Sequence, residues 1–507
     1  MAEPNLEASK WSGPAAETRR PATGPPGGPG TGLLPGRNGL WPPRRSALRP
    51  PAPGNATADQ ARPGPNATAR KTKLLLICPA ARQFRVSGRR KRALLRMKVF
   101  RFSMLTPLCV AASAPDYVQT QIVDESVEPI DFDCDADVVG ISFMTFNAPR
   151  AYEIADAFRR RGKTVIFGGY HPTLAPQEAI QHCDAICIGE AEANLPRMME
   201  DFRRGRLQRF YRYRNTELRP LAIDTRLIDG KRYLTSSVVQ ATRGCPNGCG
   251  FCSVSAFYER SLKCKQVSDV VAEIRAMKSR NVLFIDDNIA ANLKYARALF
   301  TALVPLEKHW YAQIGANVTR DPELLALMRR SGCRGVFVGF ESLSQQSLDS
   351  AAKGFNRADY YREAVRKFHE RGIGVFAALA LGFDHDTEDT FRKTAEFVQD
   401  AGVDALQLTI LTPLPGTPLF DEMEREGRMV DRDWEHYDLG HVVFRPGSVS
   451  AEDLAAAHRS ILRRFYSWRS IGRRLARQLR YLAAEQILLS LALSLGYRFK
   501  LRRLRYI

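Results

Sequence analysis

The chain has 507 residues, 44% of them hydrophobic and 25% charged, which excludes a wholly disordered chain, a collagen-like repeat and a polytopic membrane protein and leaves room for several domains. A formal net charge of +21 points toward nucleic acid until it is mapped along the chain. Residues 1–72 carry ten Lys/Arg against four Asp/Glu and residues 462–507 carry twelve against one, so the tails are basic and the interior is close to neutral.

Residues 1–72 also hold 14 of the 30 prolines and 10 of the 36 glycines. Such a stretch buries too little apolar surface to offset its ordering entropy, and it is predicted to be a disordered tail without an essential role. The two Asn-Ala-Thr triplets at Asn55 and Asn66 match a glycosylation sequon, read here as chance because no secretory signal accompanies them. Ten cysteines are too sparse for a disulfide scaffold, and no run of 18 apolar residues predicts a spanning helix. A reducing, cytoplasmic setting is expected.

From Lys73 strand and helix signals alternate. Strands are predicted at Lys73–Ile77, Tyr117–Val123, Asp137–Phe143, Thr164–Phe167 and Ala185–Ile188, with helices at Ala148–Arg161 and Glu192–Arg203. The alternation predicts a parallel, doubly wound, Rossmann-like α/β domain over residues 73–205. A basic stretch (Arg82, Arg85, Arg89, Arg90, Lys91, Arg92) follows the first strand and reads as a solvated loop. Residues 206–235 read as a connector. A second series follows over 236–440, with strands at Ser236–Ala241, Val282–Asp286, Trp310–Gly315, Gly335–Phe340, Gly374–Leu381 and Ala405–Leu411. Helices are predicted between them at Val267–Arg280, Leu293–Val304, Pro322–Ser331, Ala358–Arg371 and Thr387–Ala401. Six strands in strict alternation predict a partial (β/α)6 barrel, whose chemistry belongs at the carboxyl ends of the strands. Residues 441–507 are predicted to be a helical basic C-terminal region, with a helix at Ser450–Arg464. Its arginines and the apolar run Ile487–Leu495 suit either a peripheral contact with an anionic membrane or a basic helix packed on the barrel.

The segment Arg243-Gly244-Cys245-Pro246-Asn247-Gly248-Cys249-Gly250-Phe251-Cys252 follows the first barrel strand. A structural zinc site normally takes four protein ligands, and no histidine or fourth cysteine lies near in sequence. Three thiolates suit an iron–sulfur cubane that leaves one iron open to a non-protein ligand. The Cys-x-x-x-Cys-x-x-Cys pattern, with an aromatic residue before its last cysteine, resembles the signature of radical S-adenosylmethionine (radical SAM) enzymes, and that family's fold is a partial six-stranded barrel. The resemblance implies that Cys245, Cys249 and Cys252 hold a [4Fe–4S] cluster, act as the catalytic metal ligands and bring S-adenosylmethionine to the open iron. It implies a 5′-deoxyadenosyl radical that takes hydrogen from the substrate, and an electron donor such as flavodoxin or ferredoxin. It places Phe251 near adenine, Asp286 and Asp287 near the methionine amino group, and Glu341 and Ser342 near ribose or carboxylate. Arg243, Gln313 and Asn317 are expected nearby. The loops Gly382–Asp386 and Thr412–Pro418 resemble adenine-side loops.

A sheet domain before such a barrel resembles the cobalamin-binding domain of the class B enzymes, through Gly168-Gly169-Tyr170-His171-Pro172-Thr173-Leu174 and Ile188-Gly189-Glu190-Ala191-Glu192. The resemblance implies cobalamin, with Ser142, Thr145, Gly168 and Gly169 around its nucleotide tail and His171 and Thr173 also among the cofactor-binding residues, His171 as a loop hydrogen-bond partner rather than a cobalt ligand. The chain departs from the Asp-x-His-x-x-Gly pattern that ligates cobalt in several cobalamin proteins. The expected activity is methylation of an unactivated carbon of a small-molecule or lipid-like substrate, such as a polycyclic terpenoid or a tetrapyrrole. The alternatives are a cobalamin-dependent cyclisation or rearrangement, an RNA-modifying radical SAM enzyme, and a basic nucleic-acid-binding protein with a structural metal. The near-neutral interior speaks against a nucleic-acid partner.

Overall fold

The computed structural model describes residues 70–81 and 105–503, apart from 215, 216, 232 and 234–236. The proline-rich tail up to residue 69, the basic stretch Arg82–Arg92 and Ser236 lie outside the described residues.

The first sheet contains β1 (Thr72–Cys78), β2 (Val118–Asp124), β3 (Val138–Ser142), β4 (Thr164–Gly168), β5 (Ala185–Cys187) and β6 (Phe210–Tyr211). Their order is β2-β1-β3-β4-β5-β6, and every pair is parallel. Both faces are covered, so the central strands read as almost continuous apolar runs. Leu75, Ile77, Val139, Ile141, Val165 and Phe167 enter one core with Phe158, while Leu74, Leu76, Val138 and Ile166 enter the other with Leu195 and Met198. Strand order reverses between β1 and β3, and in open α/β sheets a ligand crevice forms outside the carboxyl ends at such a point. Strand β6 falls in the stretch read as a connector, because two residues are too few to show a period of two.

The second sheet contains β7 (Val238–Val239), then β10 (Asn281–Phe284), β11 (His309–Ile314), β12 (Cys333–Glu341), β13 (Gly374–Leu381) and β14 (Ala405–Ile410). Its order is β14-β13-β12-β11-β10-β7, all parallel, the open barrel expected from the alternation. Between β7 and β10 lies an antiparallel hairpin, β8 (Thr242–Gly244) with β9 (Leu262–Cys264), which the strand and helix signals of the sequence do not predict. The helix expected at Val267–Arg280 ends at Ala276, and the Lys308 ammonium donates to the carbonyls of Met277 and Ser279 just beyond it. Outward-facing residues such as Phe284, Trp310, Val338 and Phe340 pack with Phe300 and Phe397 of the flanking helices into one large core.

After the barrel come helices Ala451–Phe465, Trp468–Gln478 and Ala484–Arg503. Buried polar groups tie them to one another and to the barrel. Arg474, buried, donates to the Phe465 carbonyl and to the hydroxyls of Ser470 and Ser494, with its guanidinium 3.9 Å from the Phe465 ring centre. Gln478 donates to Asp404 and to Ser490. Among the described residues no helix is long and apolar enough to cross a membrane.

Candidate active site

The cysteine loop leaves β8 at Gly244, whose φ of +85° belongs to the left-handed region. A Cβ there would stand 2.2 Å from the Ser261 carbonyl oxygen, so the hairpin closes only around a glycine. The loop is pinned from three sides. Gly250 donates to the Ala351 carbonyl (3.1 Å) and accepts from the Leu419 amide (3.0 Å), and Ser255 donates to the Asn247 carbonyl (2.8 Å). Cys249 is buried and Cys245 and Cys252 are half-buried, and no described cysteine is in a disulfide. Burial pushes the Cys249 thiol up to about 11 and raises that of Cys245, so a bound cation is needed to hold either as thiolate at neutral pH. The donor set is three thiols on one loop, with the charges of Cys245 and Cys252 each felt by Cys249. As they stand, no three His, Cys, Asp or Glu side chains among the described residues are drawn into a metal-holding group.

The two aspartates after β10 do different work from that implied by the resemblance. Asp286 is buried and turned back into the fold, where its carboxylate accepts from the amides of Ala241 (3.2 Å) and Thr242 and from the Thr242 hydroxyl (2.7 Å). These bonds make it the support for the base of the hairpin, because those strand-end amides have no other partner in the sheet. Burial pushes the Asp286 carboxyl up to about 7. Asp287 accepts from the Gly244 amide (2.9 Å) at the root of the cysteine loop.

At the end of β12, Glu341 takes a left-handed φ of +68°, uncommon for a residue with a side chain. Its carboxylate accepts from the Lys353 ammonium at 2.5 Å. The pair lies over Gly339, where a Cβ would be 2.6 Å from Glu341 Oε1. Burial alone would lower the Lys353 ammonium, but Glu341 and Cys249 push it up, and the net shift is upward. Lys353 Nζ also stands 5.9 Å from the Phe251 ring centre, and Phe251 meets Phe383 edge-on at 5.7 Å. Sequence reasoning missed Lys353; a lone lysine before Gly354 carries no local pattern. Ser342 is buried, its hydroxyl 3.4 Å from Asp386, so it serves an internal network with Ser347 and the amides of Gly382 and Phe383 and is withdrawn from the ligand side.

A second cavity of about 390 Å³ opens at the carboxyl ends of the first sheet, at its switch point, with Ser142, Gly168, Gly169, Tyr170 and Gly189 in its wall. Barrel residues Gln240, Arg243, Tyr258 and Ile285 complete the wall, so the two sheets share it. Gly168 has only Cys187 Cβ near, at 3.8 Å, and leaves the backbone open to a ligand. Gly169 is glycine for another reason: its φ is +94° and a Cβ would lie 2.9 Å from Phe143 N and O. That turn sends Tyr170 to the cavity and His171 away from it. His171 is fully buried against Phe143 and Trp434, and the expected place beside cobalamin is corrected accordingly. The Tyr152 hydroxyl gives its proton to Glu178 (3.0 Å), so His171 Nε2–H donates to Tyr152 (3.0 Å), and the Trp434 indole donates to Glu178 (2.8 Å). Thr173 likewise stands outside the cavity wall, accepting from the Gly189 amide (2.9 Å), and Thr145 is buried. The Trp434–Glu178 contact crosses 256 positions of sequence and left no signal in it.

Arg243, immediately before the cysteine loop, joins the two parts. Its guanidinium donates to Glu190 (2.8 Å) and Glu192 (2.7 Å) of the first domain, and Lys263 also pairs with Glu190. Burial opposes its charge, yet the carboxylates of Glu192 and Glu190 outweigh it and the guanidinium is held more firmly protonated. The site therefore consists of a thiol loop at the barrel mouth and a ligand cavity on the adjoining sheet, fixed to one another by buried ion pairs.

Known proteins share this arrangement. The family profile of the Radical SAM superfamily matches residues 239–398 and that of the B12 binding domain matches residues 110–198. The chain is 33% identical over 388 residues to the bacteriochlorophyllide d C-12(1)-methyltransferase of Chlorobaculum tepidum, covering 73% of this chain and 84% of that protein. It is 28% identical over 345 residues to the hopanoid C-2 methylase of Rhodopseudomonas palustris, covering 64% of this chain and 65% of that protein. Among solved structures, the radical S-adenosylmethionine methyltransferase TsrM of Kitasatospora setae, with cobalamin and a [4Fe-4S] cluster bound, superposes with a TM-score of 0.55 at 15% identity, over 70% of this chain and 78% of that one.

Proposed function

The chain belongs to the cobalamin-binding radical SAM enzymes, and from that premise we propose that it methylates an unactivated carbon of a hydrophobic, polycyclic small molecule. Its cofactors are a [4Fe–4S] cluster, S-adenosylmethionine and cobalamin. Together these supply the carbon-centred radical chemistry and the methyl group, while the protein orients and shields. Cys245, Cys249 and Cys252 would hold the cluster, and Gly244 with Asp287 sets the loop that presents them. Phe251, Phe383 and the Lys353–Glu341 pair would line the S-adenosylmethionine side. Lys353 is the cation there suited to a carboxylate, and Glu341 the acceptor suited to hydroxyls or an ammonium. Ser142, Gly168 and Tyr170 would hold cobalamin. The observation that carries the reading is Arg243: one side chain ties the thiol loop to the wall of the second cavity, so the two cofactors act on one substrate.

A tetrapyrrole or a polycyclic terpenoid is the substrate class in view, in keeping with the substrates named for the two relatives. The radical is generated with an electron from a small donor protein such as flavodoxin or ferredoxin, in a cytoplasmic setting. The exposed Trp468, Leu479, Leu488 and Phe499 among C-terminal arginines support a peripheral contact with an anionic membrane. The test is anaerobic turnover with S-adenosylmethionine carrying a labelled methyl group. Label in the product is expected. Product without label would replace methylation by cyclisation or rearrangement, and material lacking both a reducible cluster and bound corrin would refute the reading.

A further inference from the structure

The two ends of the cysteine loop are held differently. Arg243 fixes its start through Glu190 and Glu192. Its end runs directly into the short helix Ser253–Phe257, which follows Cys252 with no residue between. The Cys252 carbonyl accepts from the Ala256 amide (3.2 Å) and the Val254 carbonyl from the Tyr258 amide (3.0 Å), so Cys252 and the turn at Tyr258 belong to one rigid piece. The Ser255 hydroxyl, donating to the Asn247 carbonyl, ties this helix back to the middle of the loop.

The far end of the helix stands in the wall of the cavity on the first sheet, where Phe257 and Tyr258 join Tyr170. The Phe257 ring lies 4.6 Å from that of Tyr170 and, edge-on, 4.7 Å from that of Tyr258. Tyr170 is a firm support, because Gly169 seats the backbone against Phe143 and the next residue, His171, is buried. Tyr258 also reaches the start of the loop: a Cβ on Gly244 would stand 3.2 Å from Tyr258 Cβ. At 1.5 Å per residue, the five steps from Cys252 to Phe257 place the cavity wall about 7.5 Å along the helix from Cys252. A ring packed between a neighbour and a ligand gains contacts and loses freedom to turn. Ordering completed by one ligand lowers the entropy cost of binding the next.

We propose that the helix Ser253–Phe257 couples the two cofactor sites. Phe257, Tyr258 and Tyr170, packed against a corrin, hold the cysteine loop in the shape that takes up iron, so each cofactor binds the chain more tightly when the other is bound. Phe257 and Tyr258 are positioning residues, acting on the thiols through the helix. Linked equilibria shift by the same factor in both directions, so the coupling is reciprocal. Arg243 fixes where the two domains stand; the aromatic wall is the part that answers to the ligand. The proposal rests on the two-cofactor reading for the identity of the ligands, and on the helix alone for their linkage.

The test uses the full chain, purified without oxygen, with and without its reconstituted cluster, and hydroxocobalamin as the probe. Equilibrium dialysis is expected to show at least fivefold tighter corrin binding by the cluster-loaded chain. A chelator is expected to strip iron from that chain at least fivefold more slowly once corrin is bound. Hydrogen exchange reads the helix itself: in the cluster-free chain, amides of residues 244–258 are expected to exchange at least threefold more slowly with corrin. Phe257→Ala is expected to bring all three ratios below twofold, and Tyr258→Leu to do the same should the alanine variant misfold. Tyr170→Phe keeps the ring and is expected to keep the ratios. Equal corrin affinity in the loaded and cluster-free wild type, or undiminished ratios in Phe257→Ala and Tyr258→Leu, would overturn the coupling and leave the two-cofactor reading standing. Absence of corrin binding in every form would sink that reading and the coupling with it.

Discussion

Replacing Arg243 by Met tests the bridge between the two halves of the site. The side chains of Arg243, Glu190, Lys263 and Glu192 are 9%, 9%, 13% and 17% exposed, so the group is mostly removed from water. Two cations and two anions balance there. With Arg243 gone, Glu190 keeps Lys263, but Glu192 loses the guanidinium 2.7 Å away and remains as a buried excess charge. Removing one member of a buried pair costs about 3–5 kcal/mol, most of it the desolvation of the charge left behind. The double variant Arg243→Met/Glu192→Gln removes that charge too and should regain most of the loss. Urea unfolding of the wild type, Arg243→Met, Glu192→Gln and the double variant gives the coupling energy, and a cobalamin titration followed by absorbance gives the affinity of the cavity that Arg243 helps to wall. The single variant should bind corrin at least tenfold more weakly and unfold at lower urea. A single-variant cost below about 1 kcal/mol, or a double variant no more stable than the single one, would show that the pairs are solvated contacts and that the bridge does not hold the domains.

Gly244→Ala puts a methyl group 2.2 Å from the Ser261 carbonyl at a left-handed φ, for a combined cost of about 2–5 kcal/mol local to the hairpin. Iron per chain after anaerobic reconstitution should fall by more than half with corrin binding retained, and wild-type iron content would contradict the account of the loop. His458 is buried and donates through Nε2 to the Leu408 carbonyl, and burial pulls it from 6.5 down to about 4. The folded form therefore holds it neutral, so stability is full above pH 6.5 and declines as pH falls to about 4, by about 3 kcal/mol in all. Chemical denaturation across that range should lose this slope in His458→Phe, and an unchanged slope would assign it elsewhere.

What could be read from the chain was whatever is local. The strand Gly374–Leu381 has the bounds its eight-residue apolar run suggests, because a strand buried on its outer side and carrying Gly374, Phe376, Ala378 and Ala380 inside leaves no polar interruption. The cysteine spacing was equally plain, since its three thiols share one loop. Elements of two or three residues, such as the strands Phe210–Tyr211 and Thr242–Gly244, are too short to show a period, and so neither is predicted from the sequence.

Direction was harder to read than position. An acidic pair after a strand suggests a ligand, but unpaired amides at Ala241 and Thr242 claim Asp286 before any ligand can, and nothing in the order of residues announces that demand. The glycine pair at 168–169 marks a turn correctly, whereas which of Tyr170 and His171 faces the cavity follows from a close approach to Phe143 on a neighbouring strand. Arg243 and Glu190 stand 53 positions apart, each beside a recognisable motif, and only the folded chain shows that the two motifs touch through them. Cofactor-bearing loops are thus written in short spacing, while the coupling that makes two cofactors serve one reaction is written in charges that meet across domains. A substitution that spares the cysteines but removes one of those charges should then weaken corrin binding while the cysteine loop still takes up iron, which no change in the cysteines could do.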